Sequence, residues 1–215
     1  MKVKEEYIYL VGCSKMKSDR KELHQAQHLY TSPLFNARAD YVEAMIEQDR
    51  AKGHESNWNI ISAKHSVMSP TEYVMPYDYT IDQMSPLDKS VWAMFCAACV
   101  MELVDSSITR PRDVIVMLLM GRSYSDQIAK HLTVGGFRTY NPFKGLAIGQ
   151  QIKELKEHTA AIKRIQCEQE GTTGGSELVS AAEEYRRGLG CTEDYDCEES
   201  DTEVETKLGQ LEMFS

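Results

Sequence analysis

Apolar residues gather in four short runs, separated by longer stretches with helical spacing. The runs are Tyr7–Gly12 (YIYLVG), Trp58–Ser62 (WNIIS), Val114–Met120 (VIVMLLM) and the weaker Gly136–Tyr140. The first three are apolar without alternation, as strands covered on both faces tend to be. Between and after them, apolar positions recur at helical intervals over roughly Leu34–Lys52, Pro86–Asp105, Ser123–His131 and Gly145–Gln166. Ser32-Pro33 and Ser85-Pro86 read as N-cap and first-turn pairs, and Arg110-Pro111 is a further break before a strand. Strands alternating with helices at this spacing predict right-handed crossovers and an α/β fold, with a mostly parallel central sheet flanked by helices.

The pattern changes after Gln166. Gly171–Gly175 (GTTGG) reads as a linker, Ser176–Arg187 as one short helix, and Cys191–Thr206 as an acidic, polar segment expected to be disordered. The expected organisation is an α/β domain over 1–166 and an acidic flexible tail over 167–215. Charge follows the same division. Of the 33 acidic and 24 basic side chains, 14 and 3 lie from Glu168 onward, so the body carries +2 and the tail −11. The net charge of −9 therefore does not exclude an anionic ligand for the body.

No stretch is apolar for long enough to span a bilayer, and the charged N-terminus lacks a secretory apolar region. The six cysteines are scattered, which suits reduced thiols and a cytoplasmic location, the host's if the chain is phage-encoded. Cys96-Ala-Ala-Cys99 has half the spacing of a zinc site, but it lies in an apolar helical run with no second pair. Walker A, dinucleotide-binding glycine and HExxH motifs are absent, so neither a cofactor nor a metal is expected.

In open α/β sheets ligands bind beyond the carboxyl ends of the strands, and here the loops at those ends are rich in chemistry. The first carries Cys13, Ser14, Lys15 and Lys17. The second carries Lys64 and His65, then Tyr77 and Asp78. The third carries Arg122 and Tyr124, and the fourth Lys144. Lys15, Lys17, Lys64, Arg122 and Lys144 would surround one pocket with positive charge suited to phosphate. His65 suits proton transfer near neutral pH or a structural hydrogen bond; Asp78 suits water positioning, stabilisation of a cationic sugar, or a turn cap. Tyr77 and Tyr124 suit stacking on a base or packing in a rim. Cys13 suits either a nucleophile or a small buried residue at a strand end.

Cys13-Ser14-Lys15, Leu29-Tyr30-Thr31-Ser32-Pro33-Leu34-Phe35, Ile61-Ser62-Ala63-Lys64-His65, Pro76-Tyr77-Asp78 and Gly121-Arg122-Ser123-Tyr124 resemble a phage, bacterial and archaeal family of uncharacterised domains. The resemblance covers about residues 6–156. That family is distantly similar to the YaaA peroxide-stress proteins, reported to bind DNA, and to domains that accompany 7-deazaguanine base-modification enzymes. It implies a context of nucleic-acid bases and their modification or removal. One departure is Ser66-Val67, where the family reads Gly-Leu, so the chain lacks the glycine that readily admits a positive φ.

Gln210-Leu211-Glu212-Met213-Phe214, just before Ser215, resembles the bacterial sliding-clamp-binding pentapeptide with Met213 in place of a leucine. Gln210, Leu211, Met213 and Phe214 would be the anchors, carried on a flexible tether. Two functions are carried forward. The first is an enzyme on a nucleic-acid base or nucleotide, of the N-glycosidase, DNA-glycosylase-like type. In it Lys15, Lys17 and Arg122 hold phosphate, His65 polarises the departing base and Asp78 serves the sugar or water. Lys64 is an alternative amine nucleophile. The second is a non-catalytic DNA- or clamp-binding adaptor or inhibitor.

Overall fold

The computed structural model describes residues 6–104 and 109–171. Its centre is a five-stranded sheet in the order β4-β3-β1-β6-β7, formed by β1 (Glu6–Gly12), β3 (Glu55–Ser62), β4 (Ser66–Met68), β6 (Val114–Leu119) and β7 (Arg138–Tyr140). All pairings are parallel except β3 with β4. β1 is the middle strand, paired with β3 from Glu6↔Glu55 to Gly12↔Ile61 and with β6 from Glu6↔Val114 to Val11↔Leu119. Every residue of β1 and β6 is buried, which is why both read as unbroken apolar runs.

Side chains alternate across this sheet and divide the core into two layers. Tyr7, Tyr9 and Val11 join Phe35, Tyr41 and Met45 of α2 (Pro33–Ala51) and Leu155 and Ile162 of α5 (Ile148–Gly171). Ile8 and Leu10 face Trp92, Cys96 and Val100 of α3 (Pro86–Glu102) and Ile128 and Leu132 of α4 (Arg122–Val134). Cys96 is fully buried in that layer, as its place on the apolar face predicts.

Both Ser-Pro pairs cap helices. Ser32 Oγ accepts from the Phe35 amide at 3.1 Å, and Ser85 forms a reciprocal box with Asp88, with Pro33 and Pro86 in the first turns. Arg110-Pro111 instead opens a short 3-10 turn, Pro111–Asp113, leading into β6. Other boundaries move by a few residues. β7 begins at Arg138 rather than Gly136, because Gly136 turns at φ 85°. The last helix begins at Ile148 rather than Gly145, which holds φ 87° in the preceding turn. That helix continues past Gln166 to Gly171, and Gln166 Nε2 donates to the Ala44 carbonyl at 3.3 Å.

Several small elements have no counterpart in the sequence reading. β2 (His24–Gln25) and β5 (Tyr73–Val74) pair as a two-residue antiparallel ribbon, and α1 (Ala26–Leu29) follows β2. β4 turns back on β3 through Ala63-Lys64-His65, and Ser66 takes φ 60° at the end of that three-residue loop. The left-handed turn for which glycine is suited is thus made here by serine. The helix expected over Ser176–Arg187, the acidic segment Cys191–Thr206 and the Gln210–Phe214 peptide lie outside the described residues. No helix among the described residues is long and apolar enough to cross a membrane.

Candidate functional site

The connections leaving β1 and β6 diverge. β1 leads through α2, on one face, to β3; β6 leads through α4, on the other face, to β7. Divergence of this kind opens a crevice at the strand ends, where α/β proteins bind ligands. The strands approach closely there: a Cβ on Gly12 would lie 2.7 Å from Met120 Cβ. Cys13 follows immediately, its amide donating to the Ile61 carbonyl at 2.8 Å, and its Sγ spans the crevice to Tyr124 Oη, 3.7 Å away in the first turn of α4.

Ser62, the last residue of β3, organises the neighbouring wall. It is fully buried, and its Oγ accepts from the Lys64 and His65 amides, each at 3.1 Å. A hydroxyl oxygen has two lone pairs. With both engaged, the Ser62 proton is directed to Tyr77 Oη at 2.6 Å, which in turn shares a hydrogen bond with Tyr30 Oη at 2.8 Å. Trp92 Nε1 donates to the Ser62 carbonyl at 3.1 Å, fixing the strand end from the opposite layer.

The segment after Cys13 is held by backbone pairing with the end of α1 and the link from it to α2. Ser18 donates to the Leu29 carbonyl at 2.8 Å, Thr31 donates to the Met16 carbonyl at 3.1 Å, and Lys17 and Tyr30 form a bridge. This sets Lys17 Nζ 4.3 Å from the Tyr77 ring centroid and 5.8 Å from that of Tyr30. Lys64 Nζ is 5.3 Å from the Tyr77 centroid, and His65 packs edge-on against the same ring with centroids 5.0 Å apart. Two cations and an imidazole therefore surround one phenol, which is fixed by two hydrogen bonds. Beside it an open cleft of about 560 Å³ is lined by Ala63, Lys64, Tyr77, Asp78, Tyr79 and Met84. Its volume lies within the range of small-molecule sites.

Burial governs the protonation states. It holds the Lys17 amine below the usual lysine value, opposed by Cys13 and Asp78, both close enough to interact with it. It pushes Tyr77 up to about 12, with Cys13 adding to the effect, and raises Tyr30 and Tyr124 as well, so all three phenols are protonated at neutral pH. His65 is held below its ordinary value by burial and by Lys64, against the pull of Glu72. Its imidazole is neutral at pH 7 and can donate or accept one hydrogen bond without carrying charge. His65 Nε2 is buried and has no hydrogen-bond partner among the described residues.

A family model matches residues 8–157, from β1 into α5, and takes in every residue of this cluster. The chain belongs to DUF6884, a family of unknown function. No curated protein and no solved structure matches it significantly.

The DUF6884 fold brings together Cys13, Lys17, Lys64, His65, Tyr77, Asp78 and Tyr124. Ser14 turns onto its own loop, Oγ donating to the Met16 carbonyl at 2.8 Å. Lys15, Arg122 and Lys144 are exposed and none lines the cleft; Arg122 faces Asp126 on its own helix at 3.5 Å. The ring of five cations expected around one pocket is represented in this cluster by Lys17 and Lys64. Sequence reasoning assigned no role to Tyr30, Ser62, Tyr79, Met84 or Trp92. Tyr30 and Ser62 lie inside the family-like motifs, which was the available signal; their link through Tyr77 is made by the fold. Among the described residues, no three His, Cys, Asp or Glu side chains cluster as a metal site.

Proposed function

We propose that this DUF6884 domain is an enzyme that processes a nucleic-acid base or nucleotide by cleaving an N-glycosidic bond. The observation that carries the reading is the cleft beside Tyr77, where an aromatic wall, a carboxylate and ammonium groups stand together beyond the strand ends. Cleaving a base from a sugar leaves positive charge on the sugar, and a carboxylate stabilises it. Asp78 is the carboxylate in the lining. Lys64 would meet a phosphate at the cleft wall, and Lys15, Arg122 and Lys144 would steer a polyanion toward the same edge. Tyr79 offers a face for stacking. His65, neutral, would polarise the departing base through a hydrogen bond if a ligand draws its ring outward. The distant resemblance of the sequence motifs to domains that accompany base-modification enzymes points to the same context.

A second reading rests on the Gln210-Leu211-Glu212-Met213-Phe214 sequence. It is a non-catalytic adaptor or inhibitor that docks on a bacterial sliding clamp through these residues while the body binds DNA. The two readings separate in one experiment. Purified full-length protein is incubated with oligonucleotides and nucleotides bearing normal and modified bases, and released base is sought by mass spectrometry. Release supports the enzyme. DNA or clamp binding without release across the set supports the adaptor.

A further inference from the structure

We infer that the outward face of α3 pairs with the same face of a second copy of this chain, forming an antiparallel helix pair. The inward face of α3 places Trp92, Ala93, Cys96, Ala97 and Val100 in the core layer with Ile8 and Leu10. A surface helix ordinarily turns charge outward, as α5 does with Lys153, Lys156, Glu157, Lys163 and Arg164. α3 carries no charged residue from Ser90 to Met101. Its outward face presents Leu87, Val91, Met94, Phe95 and Ala98 instead. The first four of these side chains are between 52% and 73% exposed. A contiguous apolar stripe of this kind marks an interaction surface, unlike apolar residues scattered singly.

The face matches itself. Leu87, Val91, Met94 and Ala98 are spaced four, three and four residues apart, the interval of a two-helix seam. Laid antiparallel on its copy about a twofold axis between Trp92 and Ala93, α3 sets Leu87 opposite the partner's Ala98 and Val91 opposite the partner's Met94. Large meets small at both ends of the seam, two mid-sized side chains meet at its centre, and Phe95 flanks it. One patch serves both copies, as an isologous contact requires. Charge selects the same direction. Exposed Glu102, in the last turn, comes beside the N-terminal end of the partner's α3, the positive end of the helix dipole. A parallel pair would instead set Glu102 beside Glu102 and Asp88 beside Asp88. At roughly 100 Å² for each of the four large side chains, the face offers about 400 Å² of apolar surface. That is about half of the ~800 Å² each partner gives to a standard stable interface, so the dimer is weak and forms at micromolar concentrations.

The test is sedimentation velocity of the full-length protein from about 1 to about 500 μM. The weight-average mass should rise from the monomer's 24.4 kDa toward twice that value. Met94→Glu and, independently, Val91→Lys should associate at least ~10-fold more weakly, whereas Val134→Glu, at the exposed end of α4, should associate like the parent. Both α3 positions are exposed, so the dilute variants should melt near the parent temperature, which excludes loss of folding as the cause. Direction is read by mixing the Leu87→Cys and Ala98→Cys proteins under mild oxidation and mapping the disulfides by peptide mass spectrometry. The predominant new link should join position 87 of one copy to position 98 of the other. A monomer at every concentration would overturn the proposal and leave the α3 face to a different protein. Undiminished association in both charged variants, or a predominance of 87–87 and 98–98 links, would overturn it as well.

Discussion

Replacing Ser62 with alanine isolates the group on which the site's geometry depends. The side chain is fully buried and serves three partners: the Lys64 and His65 amides at 3.1 Å and Tyr77 Oη at 2.6 Å. Lys64 is exposed, so its amide can turn to water. The His65 amide and the Tyr77 hydroxyl are left with less. A hydrogen bond contributes about 0.5–1.5 kcal/mol net, and a buried group left unsatisfied costs about 1–3 kcal/mol. The expected loss for Ser62→Ala is therefore about 2–3 kcal/mol, most of it from two groups rather than three. For a domain of this size that corresponds to a fall in Tm of roughly 4–12 °C. Tyr77→Phe removes the other end of the same bond, and the double variant should be less destabilised than the sum of the singles by about 1 kcal/mol. Urea titration of the four proteins, extrapolated to water, supplies the cycle. Additivity to within about 0.3 kcal/mol would show that Ser62 and Tyr77 act independently and would refute the hydroxyl network.

Three further outcomes are expected. Gly12→Ala should cost about 1–3 kcal/mol in urea or thermal unfolding, because its Cβ would meet Met120 at 2.7 Å, with the Met120 Cα at 3.3 Å, and force β1 and β6 apart; a parent-like stability would contradict the close approach. At Ser66, with φ 60°, melting temperatures should follow the order Gly at least equal to Ser, and Ser above Val, with Ser66→Val losing about 1–2 kcal/mol; a valine variant as stable as the parent would refute the left-handed turn. His65 has its folded pKa below the unfolded value near 6.5, so the unfolded chain binds the proton more readily. Its contribution to stability is thus present above about pH 6.5 and lost as the pH falls through the lower folded value. His65→Asn should therefore show a smaller loss of Tm between about pH 7 and 5 than the parent, and an equal loss would remove His65 as a source of acid sensitivity.

The three long strands were legible because β1, β3 and β6 place buried apolar residues in succession, and the Ser-Pro pairs marked two helix starts because capping is a local matter. β4 and the β2–β5 ribbon were not legible. Two or three residues carry no periodicity, and their pairing is made by segments that meet only in the fold. The same distinction runs through the site. Cys13, Lys64, His65 and Tyr124 stand in loops or a helical turn next to strand ends, so their convergence follows from the topology. Ser62 and Tyr30 form their network through Tyr77, which lies 47 residues from Tyr30, and hydroxyl pairing over that distance has no signature in the sequence. Arg122 reads as a ligand cation, yet an acid four residues later on the same helix gives it a local partner.

N-glycosidic cleavage in the cleft beside Tyr77 and Asp78 is the proposal on which the functional reading stands. Its most direct test is the rate of free-base release, followed by mass spectrometry under single-turnover conditions, for the wild type and Asp78→Asn on the substrate most active in the oligonucleotide and nucleotide screen. Asp78 is exposed and lies on a loop, so the substitution should leave the melting temperature close to the parent. Release should slow by a factor of ~100 or more, the scale of a lost acid–base or charge-stabilising group. Release at the wild-type rate in Asp78→Asn, or no base from the wild type on any substrate, would contradict the account.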